Sequence, residues 1–292
     1  MTALLREQAP HLADLPVRPA EGSGSSNTVV RLGEAYAVRL PRSTEYAADL
    51  RKEVAWLPRL GPLLPAPVPE VVFTGRASDL FPHPWAVVTW VPGDPLGDLD
   101  ASQQQALATD LGAFLQGLHA LDTAGLTSGA QEWGYRCGEP VTATADAWVD
   151  EAADGLSDLF DPARVRRAWG LLRDVPAATT PACWVHTDLS AENLLVRPDG
   201  HLAGVIDFGS LGVGDRSVDL LYAWSLFDAP ARETLRAAAG ADAATWSRAR
   251  AWAFAGPGLL TIAHYGDQLP RRTARLTAMV EAVAAEVGVD LR

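Results

Sequence analysis

His186-Thr187-Asp188-Leu189-Ser190-Ala191-Glu192-Asn193, followed downstream by Ile206-Asp207-Phe208-Gly209, decides the reading of this 292-residue chain. Between the two stretches, Asn193-Leu194-Leu195-Val196-Arg197 runs into Pro198-Asp199-Gly200, a turn signal, and His201 to Asp207 returns. That is the pattern of a β-hairpin. Its surroundings are helical in texture, so the hairpin is an island that holds something at its two ends. Folding it back brings Asn193 beside Asp207. A carboxylate and an amide oxygen are hard donors of the kind Mg²⁺ takes together with phosphate oxygens. Asp188 lies on the same loop as Asn193, within reach of a hydroxyl presented to that phosphate.

This order of residues matches the kinase signature H-x-D-L-x-x-x-N followed by D-F-G. Either half alone recurs by chance, but both in order across a predicted hairpin make a specific signal.

Working outward towards the N-terminus, the first ninety residues read mostly as short β segments. Thr28 to Leu32 turns at Gly33-Glu34 and Ala35 to Leu40 returns; Val68 to Thr74 and Trp85 to Val91 are further apolar, β-branched runs. Between them Glu45 to Leu60 has helical spacing. Gly22-Ser23-Gly24-Ser25-Ser26-Asn27 precedes the first hairpin, and its glycines let backbone N–H groups approach a phosphate, with Gly22, Gly24 and Ser25 as candidate contacts. In Ala37-Val38-Arg39 the spacing of the kinase A-x-K strand appears with arginine in place of lysine. Arg39 is expected to reach phosphates with its planar fork and to pair with Glu53 on the following helix. Lys52, the only lysine, points elsewhere around that helix.

Pro92-Gly93 marks a change to helical texture. Asp100 or Ser102 can cap a segment whose Leu107, Leu111, Phe114, Leu115 and Leu118 form one apolar stripe. The expected class is α+β: a protein-kinase-like, two-lobed fold with a small β-rich N-lobe over 1–91 and a larger helical C-lobe over 92–292.

On these motifs the chain resembles the aminoglycoside phosphotransferase family, small-molecule kinases that share the protein-kinase-like fold, along nearly its whole length. The resemblance implies ATP or GTP and Mg²⁺ as cofactors. Asp188 would position or deprotonate the acceptor hydroxyl, and Asn193 and Asp207 would hold Mg²⁺. Backbone groups of Thr89 and Val91, in the hinge Val88-Thr89-Trp90-Val91, would meet the nucleobase. His186 would support the catalytic loop, and Asp219, in Gly214-Asp215-Arg216-Ser217-Val218-Asp219, would clasp it through backbone hydrogen bonds. The short interval between Gly209 and Asp219, with no A-P-E segment after it, leaves no room for a peptide platform. The acceptor is therefore a small-molecule hydroxyl.

Net charge is −12, and the stretch up to Gly93 is neutral, so the whole excess lies behind it. Such a surface excludes nucleic acid as a partner and suits a cationic small molecule. Asp146, Asp150, Asp154 and Asp158 recur every four residues as an acidic stripe. With Asp228, Tyr265, Asp267 and Glu132 they are candidate contacts for an amino sugar. The alternative acceptor is a macrolide or other neutral alcohol, with Leu221 to Phe227 and Trp252 to Tyr265 lining an apolar pocket. A nucleotide-binding module without catalysis is the rival from another class. No apolar run reaches membrane-spanning length, and Cys137 and Cys183 are too few for a disulfide framework, so a cytoplasmic protein is expected.

Overall fold

The computed structural model describes residues 1–20, 26–126, 143–266 and 270–292. The N-terminal region carries α1 (Thr2–Gln8), β1 (Val17–Pro19), β2 (Asn27–Leu32), β3 (Tyr36–Pro41), α2 (Thr44–Leu60), β4 (Val71–Gly75) and β5 (Trp85–Thr89). The five strands form one antiparallel sheet in the order β1-β2-β3-β5-β4. The expected hairpin is β2–β3, which pairs Val29 with Arg39 and Leu32 with Tyr36. Arg39 thereby sits at a fixed register opposite Ala86 of β5. Ser43 caps α2 by accepting from Tyr46 N–H, and Leu50, Glu53 and Leu57 lie on its buried side. Pro58 lies within the last turn of this helix and Gly61 ends it.

One side of the sheet packs on α1: Leu4, Leu5, Leu12, Leu32, Val38, Trp85 and Val87 make a small core of their own. Neither α1 nor β1 was expected from the sequence, because both are too short to show a period.

The remaining elements are β6 (Asp94–Pro95), α3 (Ala101–His119), α4 (Ala143–Gly155), α5 (Pro162–Leu172), β7 (Cys183–Val185), β8 (Leu194–Val196), β9 (Leu202–Val205), β10 (Gly212–Gly214), α6 (Ala223–Leu226), α7 (Ala229–Ala238), α8 (Ala243–Ala253), α9 (Thr261–Tyr265) and α10 (Pro270–Glu286). Asp100 caps α3 in a reciprocal capping box with Gln103. The expected α3 stripe is buried throughout, and Leu57, Leu60 and Val68 from the sheet region join the same large core. The helical region and the sheet region therefore share packing through the end of α2.

The predicted hairpin is β8–β9, and β6 joins it as a third strand. Gly204 in β9 has to be glycine: a Cβ there would stand 2.4 Å from Val91 Cγ1 and 2.8 Å from Pro67 O. This close approach seats the hairpin directly beneath the chain crossing from one region to the other. Leu221, Ala223, Trp224, Phe227 and Trp252 to Ala255 are core residues, so these parts of the two stretches pack the interior. Among the described residues no helix is long and apolar enough to cross a membrane.

Candidate active site

The loop from His186 to Asn193 is held from behind by one buried carboxylate. Strand β7 delivers His186 and Thr187, and Thr187 takes a left-handed conformation with φ of 69°. That turn points two successive N–H groups at Asp219: Thr187 N donates to Oδ1 (2.7 Å) and His186 N to Oδ2 (3.2 Å). His119 Nε2 on α3 adds a third contact to Asp219 Oδ2 at 2.9 Å. Asp219 is 3% exposed, so these groups replace the water it gave up. His186 is fully buried and donates from Nε2 to Ile206 O (3.1 Å), which fixes the tautomer in which Nδ1 accepts from Asp188 N (3.3 Å). The loop is thus tied to the end of β9 as well as to Asp219.

Asp188 emerges on the cleft side of this clasp. Asn193 Nδ2 donates to Asp188 O (2.8 Å) and to Oδ2 (3.1 Å), which leaves the amide oxygen of Asn193 free to serve as a donor atom. Tyr222 donates its hydroxyl proton to Asp188 Oδ1 at 3.0 Å. Arg272 Nη2 lies 3.8 Å from the same oxygen.

Asp207 follows β9 in a left-handed conformation (φ 63°, ψ 68°) and borders the same cleft as Asn193. Arg39 meets it from the sheet. The guanidinium gives Nη1 to both oxygens of Glu53 (2.5 and 2.7 Å) and Nη2 to Asp207 Oδ1 (2.6 Å). Burial works against charge on all three groups. For Asp207 the nearby Arg39 outweighs burial and holds the carboxyl below its usual range. For Glu53 burial prevails and pushes the carboxyl up, with Arg39 opposing. The two oxygens of Glu53 close on one fork in the geometry of a carboxylate, and that geometry carries the assignment of an ion pair. A lysine could not make these contacts together, because its single ammonium lacks the planar, two-ended fork.

These groups open onto one cleft of about 730 Å³ between sheet and hairpin. Val29, Ala37, Val88, Val91, Leu195 and Ile206 give it an apolar slot, while Arg39, Asp188, Asn193 and Asp207 lie at its polar end. Thr89 and Val91 border the slot. Thr89 N donates to Glu70 O (2.9 Å) and Trp90 N to Ala35 O (2.7 Å), so the hinge is anchored by residues other than Val91. Gly22, Gly24 and Ser25 lie outside the described residues; Ala20, Ser26 and Asn27 border the cleft.

The acidic candidates sit elsewhere. Asp146 accepts from Trp169 Nε1 (2.8 Å) and pairs with Arg173 (2.7 Å). Asp150 and Asp154 share Arg166 at 2.8 and 2.7 Å. Asp228 caps α7, accepting from Ala231 N at 2.9 Å, and Tyr265 is an exposed residue of α9. None of these is among the residues bordering the cleft. Asp267 and Glu132 lie outside the described residues. Sequence reading missed Tyr222 and Arg272. Tyr222 follows Asp219 closely enough to have been a candidate, whereas nothing in the sequence ties Arg272 to the loop.

The profile of the phosphotransferase enzyme family matches residues 17–252. The chain belongs to that family. An aminoglycoside 3'-phosphotransferase from Escherichia coli is 28% identical over 169 residues, 55% of this chain and 58% of that protein. One from Streptomyces fradiae is 33% identical over 209 residues, covering 65% and 69%. A viomycin phosphotransferase from Streptomyces vinaceus is 31% identical over 198 residues, covering 64% and 62%. The aligned stretches thus span well under the full length of these relatives. Of the solved structures, a GDP complex of an aminoglycoside 2'-phosphotransferase superposes with a TM-score of 0.73 at 19% identity, over 98% of this chain and 97% of the other. A macrolide 2'-phosphotransferase from Brachybacterium faecium gives 0.62 at 23% identity, over 96% and 98%. This chain therefore has the expected α+β kinase-like fold.

Proposed function

We propose that this phosphotransferase moves the γ-phosphoryl group of ATP or GTP to a hydroxyl of a small natural product, with an aminoglycoside-like amino sugar as the leading acceptor. The observation that supports it is the convergence of Asp188, Asn193, Asp207 and the Arg39–Glu53 pair at the polar end of one cleft. The apolar slot suits a purine, with Val91 at its border as the expected partner of the nucleobase. The amide oxygen of Asn193 and the carboxylate of Asp207 are hard donors that border the same cleft. They fit Mg²⁺, which takes few protein ligands and completes its shell with phosphate and water. Bound there, Mg²⁺ supplies neutralisation of phosphate charge. Arg39 would exchange its Nη2 contact with Asp207 for a phosphate oxygen while Nη1 stays on Glu53. Asp188 accepts the hydrogen of the incoming hydroxyl and aligns its oxygen with the phosphorus. A reaction that draws on nucleoside triphosphate suits a cytoplasmic enzyme.

One observation favours the second acceptor class, a macrolide or other neutral alcohol. Arg271 and Arg272 border the cleft near Asp188, whereas Asp146, Asp150 and Asp154 of α4 pair with arginines that do not border it. A transfer assay with radiolabelled ATP or GTP against aminoglycosides, macrolides and neutral amino-free alcohols decides the matter. Labelled product is expected with an amino sugar; product with neutral alcohols alone removes the cationic acceptor, and none from any acceptor removes the proposed activity.

A further inference from the structure

The catalytic carboxylate has a supporting chain that no motif announces. Arg272 Nη2 donates to Tyr222 Oη at 3.2 Å, and Tyr222 Oη donates to Asp188 Oδ1 at 3.0 Å. The direction of both bonds is fixed by chemistry, since a guanidinium can only donate and an ionised carboxylate can only accept. With its lone pair engaged by Arg272, the phenol has its single proton left for Asp188. Tyr222 is 4% exposed and immediately precedes α6, while Arg272 sits in the first turn of α10 with its Nε buried and unpartnered among the described residues. The stretch matched by the family profile ends at residue 252, so Arg272 comes to the site from a helix beyond it.

We infer that Tyr222 and Arg272 are positioning residues for the transfer reaction, setting the rotation of the Asp188 carboxylate about its last side-chain bond. That torsion is broad for an aspartate, so the plane of the carboxylate needs a restraint at each oxygen. Asn193 supplies one at Oδ2 and Tyr222 the other at Oδ1. Each oxygen keeps a second lone pair, and the acceptor hydroxyl meets one whose direction is already set. Arg272 keeps the phenol turned towards Asp188 and adds a positive charge beside it. The inference rests on the proposed phosphoryl transfer.

The test measures steady-state transfer with the best acceptor of the assay above, or with water as acceptor where none is phosphorylated, so failure of the activity and failure of this inference read out separately. Tyr222→Phe is expected to lower kcat about tenfold, the loss of one hydrogen bond to a charged group, while KM for nucleotide and acceptor stays within about twofold. Arg272→Lys, which can still donate to the phenol, should retain most of kcat, and Arg272→Met should not. The double variant Tyr222→Phe with Arg272→Met should lose less than the product of the two single losses, since the hydrogen-bonded part of both effects runs through one bond. An unchanged kcat in Tyr222→Phe, losses that multiply in the double variant, or a fall in thermal midpoint that parallels kcat would overturn the inference. Arg272 is a quarter exposed, so its variants are readable even where Tyr222→Phe folds poorly.

Discussion

Two sets of acids on this chain look alike in the sequence and behave differently in the fold. Asp146, Asp150 and Asp154 on α4 are evenly spaced, and each ends on a cation of the next helix. Asp188, Asp207 and Asp219 have no period at all, yet backbone turns aim all three at one small volume around the catalytic loop. Regular spacing places acids on a common helix face and says nothing of what stands opposite. An irregular set fixed by left-handed residues and buried donors is the one the fold has organised.

The comparison breaks most sharply at Asp188. Asp188→Asn is expected to lower kcat of transfer by about a hundredfold to ten-thousandfold, with nucleotide KM within a few-fold, because the lost group acts on the acceptor. Activity within tenfold of the parent would remove Asp188 from its role. Next comes Asp219, where the cost falls on folding. Asp219→Ala strands two buried N–H groups and the partner of His119, and should cost about 3 kcal/mol in chemical denaturation. A loss under about 1 kcal/mol would mean that water or rearrangement replaces the clasp. The smallest effect belongs to α4. Replacing Asp146, Asp150 and Asp154 together by Asn should leave acceptor KM within about twofold at low and high salt, and the thermal midpoint within a few degrees, as exposed pairs contribute little. A several-fold rise in KM confined to low salt would return the stripe to the acceptor site.

How much could be read in advance follows the same division. The β2–β3 and β8–β9 hairpins, the α2 and α3 faces and the residues flanking the second hairpin were legible because each signal is local: a turn, a period or a short motif. The Arg39–Glu53 contact was legible too, since strand register and helix phase fix where each points. Contacts that depend on tertiary neighbours were not. That Arg39 also grips Asp207, or that α10 returns to the catalytic loop, requires elements far apart in sequence to be placed first. The π-helical turn Phe254–Leu260, built around Gly256-Pro257-Gly258, likewise has no simple period to announce it.

The guanidinium at position 39 also decides how this cleft can be approached chemically. Reagents built on nucleotides that acylate a phosphate-site amine depend on a primary amine at that point of the strand, and here the only lysine, Lys52, is beside Asp49 on α2 and is not among the residues bordering the cleft. Acylation would therefore pass the site by, whereas dicarbonyl reagents selective for guanidinium groups would meet Arg271 and Arg272 at the cavity and leave Arg39, buried and paired with Glu53 and Asp207, unmodified.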